Sequence, residues 1–127
     1  MVDLGLLLIR LVVGLTFAGH GTQKVFGWFG GYGLKGTGGW MESLGLKPGV
    51  FMALLAGLSE LLGGLLMAAG WGMPVAAVLF VIPMLVAIVK VHGKNGFWVT
   101  QNGFEYNLIL IAVAVGLALT GPGAYTL

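Results

Sequence analysis

Residues 49–92 read GVFMALLAGLSELLGGLLMAAGWGMPVAAVLFVIPMLVAIVKVH. Two apolar runs, 49–69 and 73–92, are separated only by Gly70-Trp71-Gly72. A helix rises ~1.5 Å per residue, so each run reaches across about 30 Å, the thickness of a bilayer's hydrocarbon core. Pro48-Gly49 opens the first run. Pro74 stands in the first turn of the second, where its missing N–H costs nothing. The stretch reads as a tight αα-hairpin, and the rest of the chain decides whether water or lipid surrounds it.

The chain has 127 residues, of which 58% are hydrophobic and 8% charged. A soluble domain carries roughly 25% charged residues. Six Lys or Arg and four Asp or Glu cannot solvate the outside of a hairpin this apolar, so a water-soluble globule is excluded. Disorder is excluded for the same reason. Outward from the hairpin lie two more apolar spans, about 4–26 and 104–120, the last stopped by Gly121-Pro122-Gly123. The expected fold is all-α: an integral membrane four-helix bundle in a single domain, 1–127, with helices about 4–26, 49–69, 73–92 and 104–120. The N-terminal span lacks a positive leader, and Arg10 sits within it, so it reads as a retained helix.

Four crossings would put both termini at one end. Lys24, Lys35, Lys47, Lys90 and Lys94 all fall at the other, here called the lysine end. The positive-inside rule then places the lysine end in the cytoplasm of a bacterial inner-membrane protein, with both termini periplasmic or extracellular. The lysine end also carries Gly-rich aromatic segments, FGWFGGYGLKGTGGW at 26–40 and GFWVTQNGF at 96–104. Their rings suit the headgroup level. Thr37 is a candidate cap for a short helix bearing Trp40, Met41 and Leu44, with Glu42 and Lys47 towards water.

With no Cys, the chain alone builds no disulfide, Cys-ligated metal or iron–sulfur centre. Six scattered basic residues make no nucleic-acid footprint. The informative residues are polar ones at membrane depth, which are costly and therefore paired or functional. Glu60 lies near the middle of its span and Arg10 in the first half of its own, so an Arg10–Glu60 pair would relieve both desolvation costs, whether as a static brace or as part of a site. Arg10, Gly14, Phe17, Gly21 and Lys24 follow one helical stripe. Ala56, Gly57, Gly63 and Gly64 share the Glu60 side of theirs and would let a partner helix close in, within one bundle or in a homo-oligomer. His20, Lys24, Lys90, His92 and Glu105 reach the lysine end at a common depth. Together they would line the polar mouth of an apolar site. The simpler readings are snorkelling lysines, hydrogen-bonded histidines and a Glu105 that complements a helix dipole. Pro83 is expected to kink its span.

Four pieces of the sequence resemble a known family. They are Arg10-x3-Gly14-x2-Phe17-x2-His20-Gly21-x2-Lys24; Glu60-x2-Gly63-Gly64 followed by Gly70; His92 followed by Gly96-Phe97 and Glu105; and Gly121-Pro122-Gly123 followed by Tyr125. Together they resemble the DoxX family of small four-helix bacterial membrane proteins, over essentially the whole chain. Relatives commonly follow the Gly-Pro-Gly turn with Ser-Leu-Asp, where this chain has Tyr125-Thr126-Leu127. The resemblance implies a membrane redox setting near quinones, and it carries over Arg10, His20, Lys24, Glu60, His92 and Glu105 as motif residues.

The expected function is that of a redox-linked or accessory subunit that binds a quinone or another lipid-soluble ligand among membrane lipids. His20 or His92 would donate to a ring oxygen, Glu105 or Glu60 would exchange the proton, and Lys24 would hold an anionic form. Arg10, Trp28 and Trp98 would complete the contact. Electrons would come from a partner oxidoreductase, since the chain holds no redox centre of its own. Haem b between His20 and His92 is disfavoured by Arg10 and by the lack of a second His on either helix. The alternatives are a small transporter with a proton relay through Arg10, Glu60, Lys24 and His20, and a scaffold for a larger complex.

Overall fold

The computed structural model describes residues 1–127 and is all-α. Its helices are α1 Val2–Val25, α2 Gly33–Ser43, α3 Gly49–Ala69, α4 Met73–Ala87 and α5 Glu105–Thr120. α4 runs on through a π-turn, Ile88–His92, and a 3-10 turn, Gly93–Asn95. Three stretches are long and apolar enough to cross a membrane: Val2–Val25, Gly49–Ala69 and Met73–Asn95. α5 is apolar but has 16 residues, ~24 Å of helix. The expected plain four-helix bundle is therefore corrected to five helices, three of full membrane length. The fourth span is short because the 96–104 loop holds its first turn, with Glu105 N–H on Phe97 O at 2.7 Å, and Gly121 leaves the helix at φ 82°.

The molecule is apolar on the outside. Only 27 of 127 residues are buried, whereas Leu8, Leu62, Val75, Val89 and Leu119 are each more than half exposed. Apolar exposure on this scale marks a surface that meets lipid. The interior is small and dense. Phe17 stacks on Phe80 with centroids 3.8 Å apart, among Met67, Met73, Met84 and Leu110.

α1 and α3 pack antiparallel, backbone against backbone. A Cβ on Gly14 would fall 2.6 Å from Gly64 O, and one on Gly21 would fall 2.5 Å from Gly57 O. Small residues allow this approach, and in lipid it is the main source of helix association. Gly63 faces α4 instead, where an added Cβ would come 2.9 Å from Leu79 Cβ.

These contacts fix the register and overturn the expected Arg10–Glu60 pair. Arg10 lies one turn before Gly14 and so stands level with Ala68. Glu60 is eight residues further along α3, ~12 Å away. Arg10 is 1% exposed and donates to Met67 O and Ala68 O (3.0 and 2.9 Å) and to Pro122 O and Tyr125 O (both 2.8 Å). It thereby satisfies carbonyls orphaned at the C-terminus of α3 and ties the tail to them. Leu127 N–H on Ala69 O, Trp71 Nε1 on Leu127 O and Ala124 N–H on the Asp3 carboxylate hold the same tail. Both termini therefore lie at the end opposite the lysines.

α2 covers the lysine end, with Thr37, Gly38 and Met41 buried. Thr37 is inside the helix rather than capping it, because the helix starts at Gly33, before the position that a Thr37 cap implies. Glu42 is exposed, as expected, and its carboxylate also accepts from Gly49 N–H at 3.0 Å, capping the positive end of α3.

Gly21→Val should force α1 from α3 and lower the thermal midpoint in detergent by the equivalent of at least about 1–3 kcal/mol. Gly19→Val, at a site with nothing within 4 Å, should leave the midpoint unchanged. Equal midpoints for the two variants would refute the close-packed register.

Candidate functional site

A cavity of about 230 Å³ lies where α1, α3, α4 and α5 meet at the lysine end, roofed by α2 and the residues after it. Its walls are apolar: Phe17, Met84 and Leu110 on the bundle side, and Trp40, Met41, Leu44 and Leu46 on the α2 side. Seven polar side chains interrupt them: His20, Lys24, Glu60, Lys90, His92, Tyr106 and Asn107. The π-turn that carries Lys90 and His92 breaks the regular α ladder, and Lys90, Val91 and His92 all reach the cavity. Such turns recur at functional sites.

The only ion pair of the molecule sits here. Lys24 Nζ donates to Glu60 Oε1 at 2.8 Å, with the Glu60 side chain 4% exposed and that of Lys24 26%. Lys24 is one turn beyond Gly21 and reaches back along the α1–α3 seam, so it takes the place foreseen for Arg10. Glu60 Oε2 has no partner within the protein.

Both histidines are oriented through Nδ1. His20 Nδ1 lies 2.9 Å from Gln23 Oε1. Gln23 is itself turned by donating its Nε2 to Phe29 O at 3.2 Å. Phe29 has φ 53°, a left-handed conformation that is unfavourable for a bulky residue and that aims this carbonyl. Gly31 backs the arrangement, since a Cβ there would collide with Gln23. His92 Nδ1 lies 2.9 Å from Asn102 O, and Asn102 too is left-handed, at φ 59°. Each acceptor is an amide or peptide oxygen, so each Nδ1 carries the proton in the neutral ring.

Asn107 is 4% exposed. Its Nδ2 points to Met84 Sδ at 3.4 Å, and its Oδ1 is buried with no partner. A thioether accepts but cannot donate, which sets the amide this way round.

A second, more open cavity of about 620 Å³ lies outside the first. It is lined by Gln23, Gly31, Tyr32, Gly36 and Thr37, and shares Lys24 and Trp40 with the inner one.

Of the residues singled out in the sequence, the structure gathers His20, Lys24, Glu60 and His92 at one cavity. Arg10 is at the opposite end of the bundle and touches none of them. Glu105 does not line the cavity: its carboxylate accepts from Val99 N–H at 2.9 Å and braces its own loop. Trp28 is 56% exposed and stacked on Phe26, and Trp98 is 60% exposed against Phe97, so neither lines the cavity. Trp40 is the tryptophan that does. Asn107 carried little weight in the sequence, although an amide inside an apolar span is itself a signal.

The geometry places the recurrent polar positions of the sequence on one lipid-embedded scaffold. Residues 5–93 match the DoxX family. The chain belongs to that family. It is 33% identical, over 119 residues, to a Bacillus subtilis (strain 168) protein named "Putative oxidoreductase CatD"; the match spans 94% of this chain and 81% of that protein. No solved structure matches. Membership and the three long apolar helices make this DoxX protein a multi-pass protein of the inner membrane.

Removing one member of a buried ion pair strands the other charge, whereas removing both does not. Lys24→Met should cost about 3 kcal/mol of stability in detergent, and Lys24→Met with Glu60→Met should recover most of it. A double variant as unstable as the single one would show that the pair is not the source of the loss.

Proposed function

We propose that this DoxX protein is a redox-associated inner-membrane subunit whose lysine-end cavity binds the head ring of a quinone-class lipid-soluble molecule. One observation carries the reading: an apolar pocket between the helices at the lysine end of the bundle holds an ion pair, two oriented histidines and an unpaired amide oxygen. Polar groups are costly at that depth, and convergent ones in an apolar pocket suit a ring with oxygen substituents. The size is consistent. At about 230 Å³ the cavity is smaller than the ~300–1,000 Å³ typical of drug-sized ligands, so it takes a single ring with its tail left in lipid. A haem does not fit. The relative named as an oxidoreductase supports a redox setting, and electrons would come from a partner protein, since this chain has no redox centre.

We further propose that α5 makes the fourth crossing. Its first turn is held at the lysine end by Phe97 and Val99, and the tail beyond it meets Arg10 at the other. A helix of ~24 Å suffices where the bilayer thins or flanking residues complete the path. The lysines then mark the cytoplasmic side, with both termini outside it.

A tail-less benzoquinone should quench the tryptophan emission saturably, and Trp40→Phe should abolish the saturable part while Trp28→Phe and Trp98→Phe keep it. Linear, non-saturating quenching in all four proteins would rule the site out. The natural absence of Cys permits a clean topology test. Lys94→Cys should react with an impermeant maleimide only from the cytoplasmic face, and Ala124→Cys only from the other. Labelling of both from the same face would refute the fourth crossing.

A further inference from the structure

A quinone and its hydroquinone differ at the atoms this cavity can touch. The quinone oxygens only accept hydrogen bonds, whereas the hydroquinone oxygens also donate. The cavity's own polar atoms therefore state a preference. Asn107 Oδ1 is a buried acceptor with no partner. Glu60 Oε2 also accepts no hydrogen bond from the protein, because Lys24 occupies Oε1 alone, although it is not sealed off as Asn107 Oδ1 is. The expected donors among the histidines are absent in the neutral rings: Nδ1 of His20 is held by Gln23 Oε1 and Nδ1 of His92 by Asn102 O, which leaves an accepting Nε2 on each. The lining also carries donors: the two N–H groups that Lys24 keeps beyond its bond to Glu60, and those of Lys90, Tyr106 and Trp40, all three exposed residues. Those donors belong to exposed or half-buried residues, whereas the one sealed polar atom left without a partner, Asn107 Oδ1, is an acceptor.

A quinone oxygen set against a buried acceptor would leave both sides unsatisfied, while a hydroxyl would satisfy it. We infer that the cavity selects the reduced, hydroxyl-bearing form of its ring ligand, with one O–H donated to Asn107 Oδ1 or Glu60 Oε2. The inference rests on the quinone-class reading above and adds the redox state that the site prefers. Such a site holds hydroquinone in the membrane and raises the potential of the bound couple. A tenfold tighter grip on the reduced form corresponds to about 30 mV for a two-electron couple.

The test is anaerobic titration calorimetry on the full chain in detergent, with a tail-less benzoquinone, its hydroquinone and the bis-methyl ether of that hydroquinone. The hydroquinone should bind at least about tenfold more tightly than the other two, since only it satisfies the buried acceptor. Asn107→Leu should weaken hydroquinone binding and shrink the ratio between the two affinities. The ether needs no variant: it keeps the ring and both oxygens and lacks only the donors. Quinone or ether binding as tightly as hydroquinone would overturn the inference and leave the quinone-class site standing. Absence of binding by all three would overturn both.

Discussion

Everything in this fold depends on how closely α1 and α3 approach. Gly14 against Gly64 and Gly21 against Gly57 bring two backbones into contact, and a single Cβ at any of them would meet the opposite chain. In lipid there is no hydrophobic force to draw helices together, so this contact supplies what the solvent does not. It also sets the register. With the seam fixed at two pairs of glycines, each polar residue on one helix has only a short stretch of the other within reach. Lys24 reaches Glu60, and Arg10 reaches only the carbonyls at the end of α3.

The two cations on the inner stripe of α1, Arg10 buried and Lys24 half-buried, consequently do different work. Arg10 has no carboxylate partner. Its guanidinium spreads over four carbonyl oxygens and ties the C-terminal tail to the end of α3. A planar fork with five donors suits this role, and a lysine could not replace it. Lys24 is a point charge against one carboxylate oxygen, and the other oxygen stays free. At the terminal end Arg10 and the tail thus bond to one another and to the end of α3, while the lysine end keeps unspent hydrogen-bonding capacity around a cavity. That asymmetry is the physical basis for placing binding at the lysine end.

The loops at that end act on the site at one remove. Phe29 and Asn102 adopt left-handed backbone conformations, and each helps to position an oxygen that orients a histidine, Phe29 through Gln23 and Asn102 directly. Local strain is tolerated where the surroundings over-determine it, and both segments are braced by short hydrogen bonds. The aromatic residues that made these loops conspicuous in the sequence mostly face outwards. Their glycines and carbonyls matter more to the cavity than the rings of Trp28 and Trp98 do.

Charge count and apolar run length determined the solvent: ten charged side chains cannot keep this chain in water, so lipid surrounds it and the apolar stretches become helices. The same reasoning located the polar residues that the structure gathers at one cavity, because depth within a helix follows from its rise alone. His20, Lys24, Glu60 and His92 were legible for that reason, and the family resemblance agreed with them. Pairing was not legible. Which cation meets Glu60 depends on the offset between two helices, and glycines separated by whole turns are compatible with several offsets until all the helices are packed. The fates of Glu42 and Glu105, each spent on a backbone amide, and of Asn107, left with a bare oxygen in a cavity, depend on where loops and neighbouring helices come to rest. Those are contacts between segments distant in the chain. Composition and periodicity constrain each segment separately, and only close packing in three dimensions decides which of them meet.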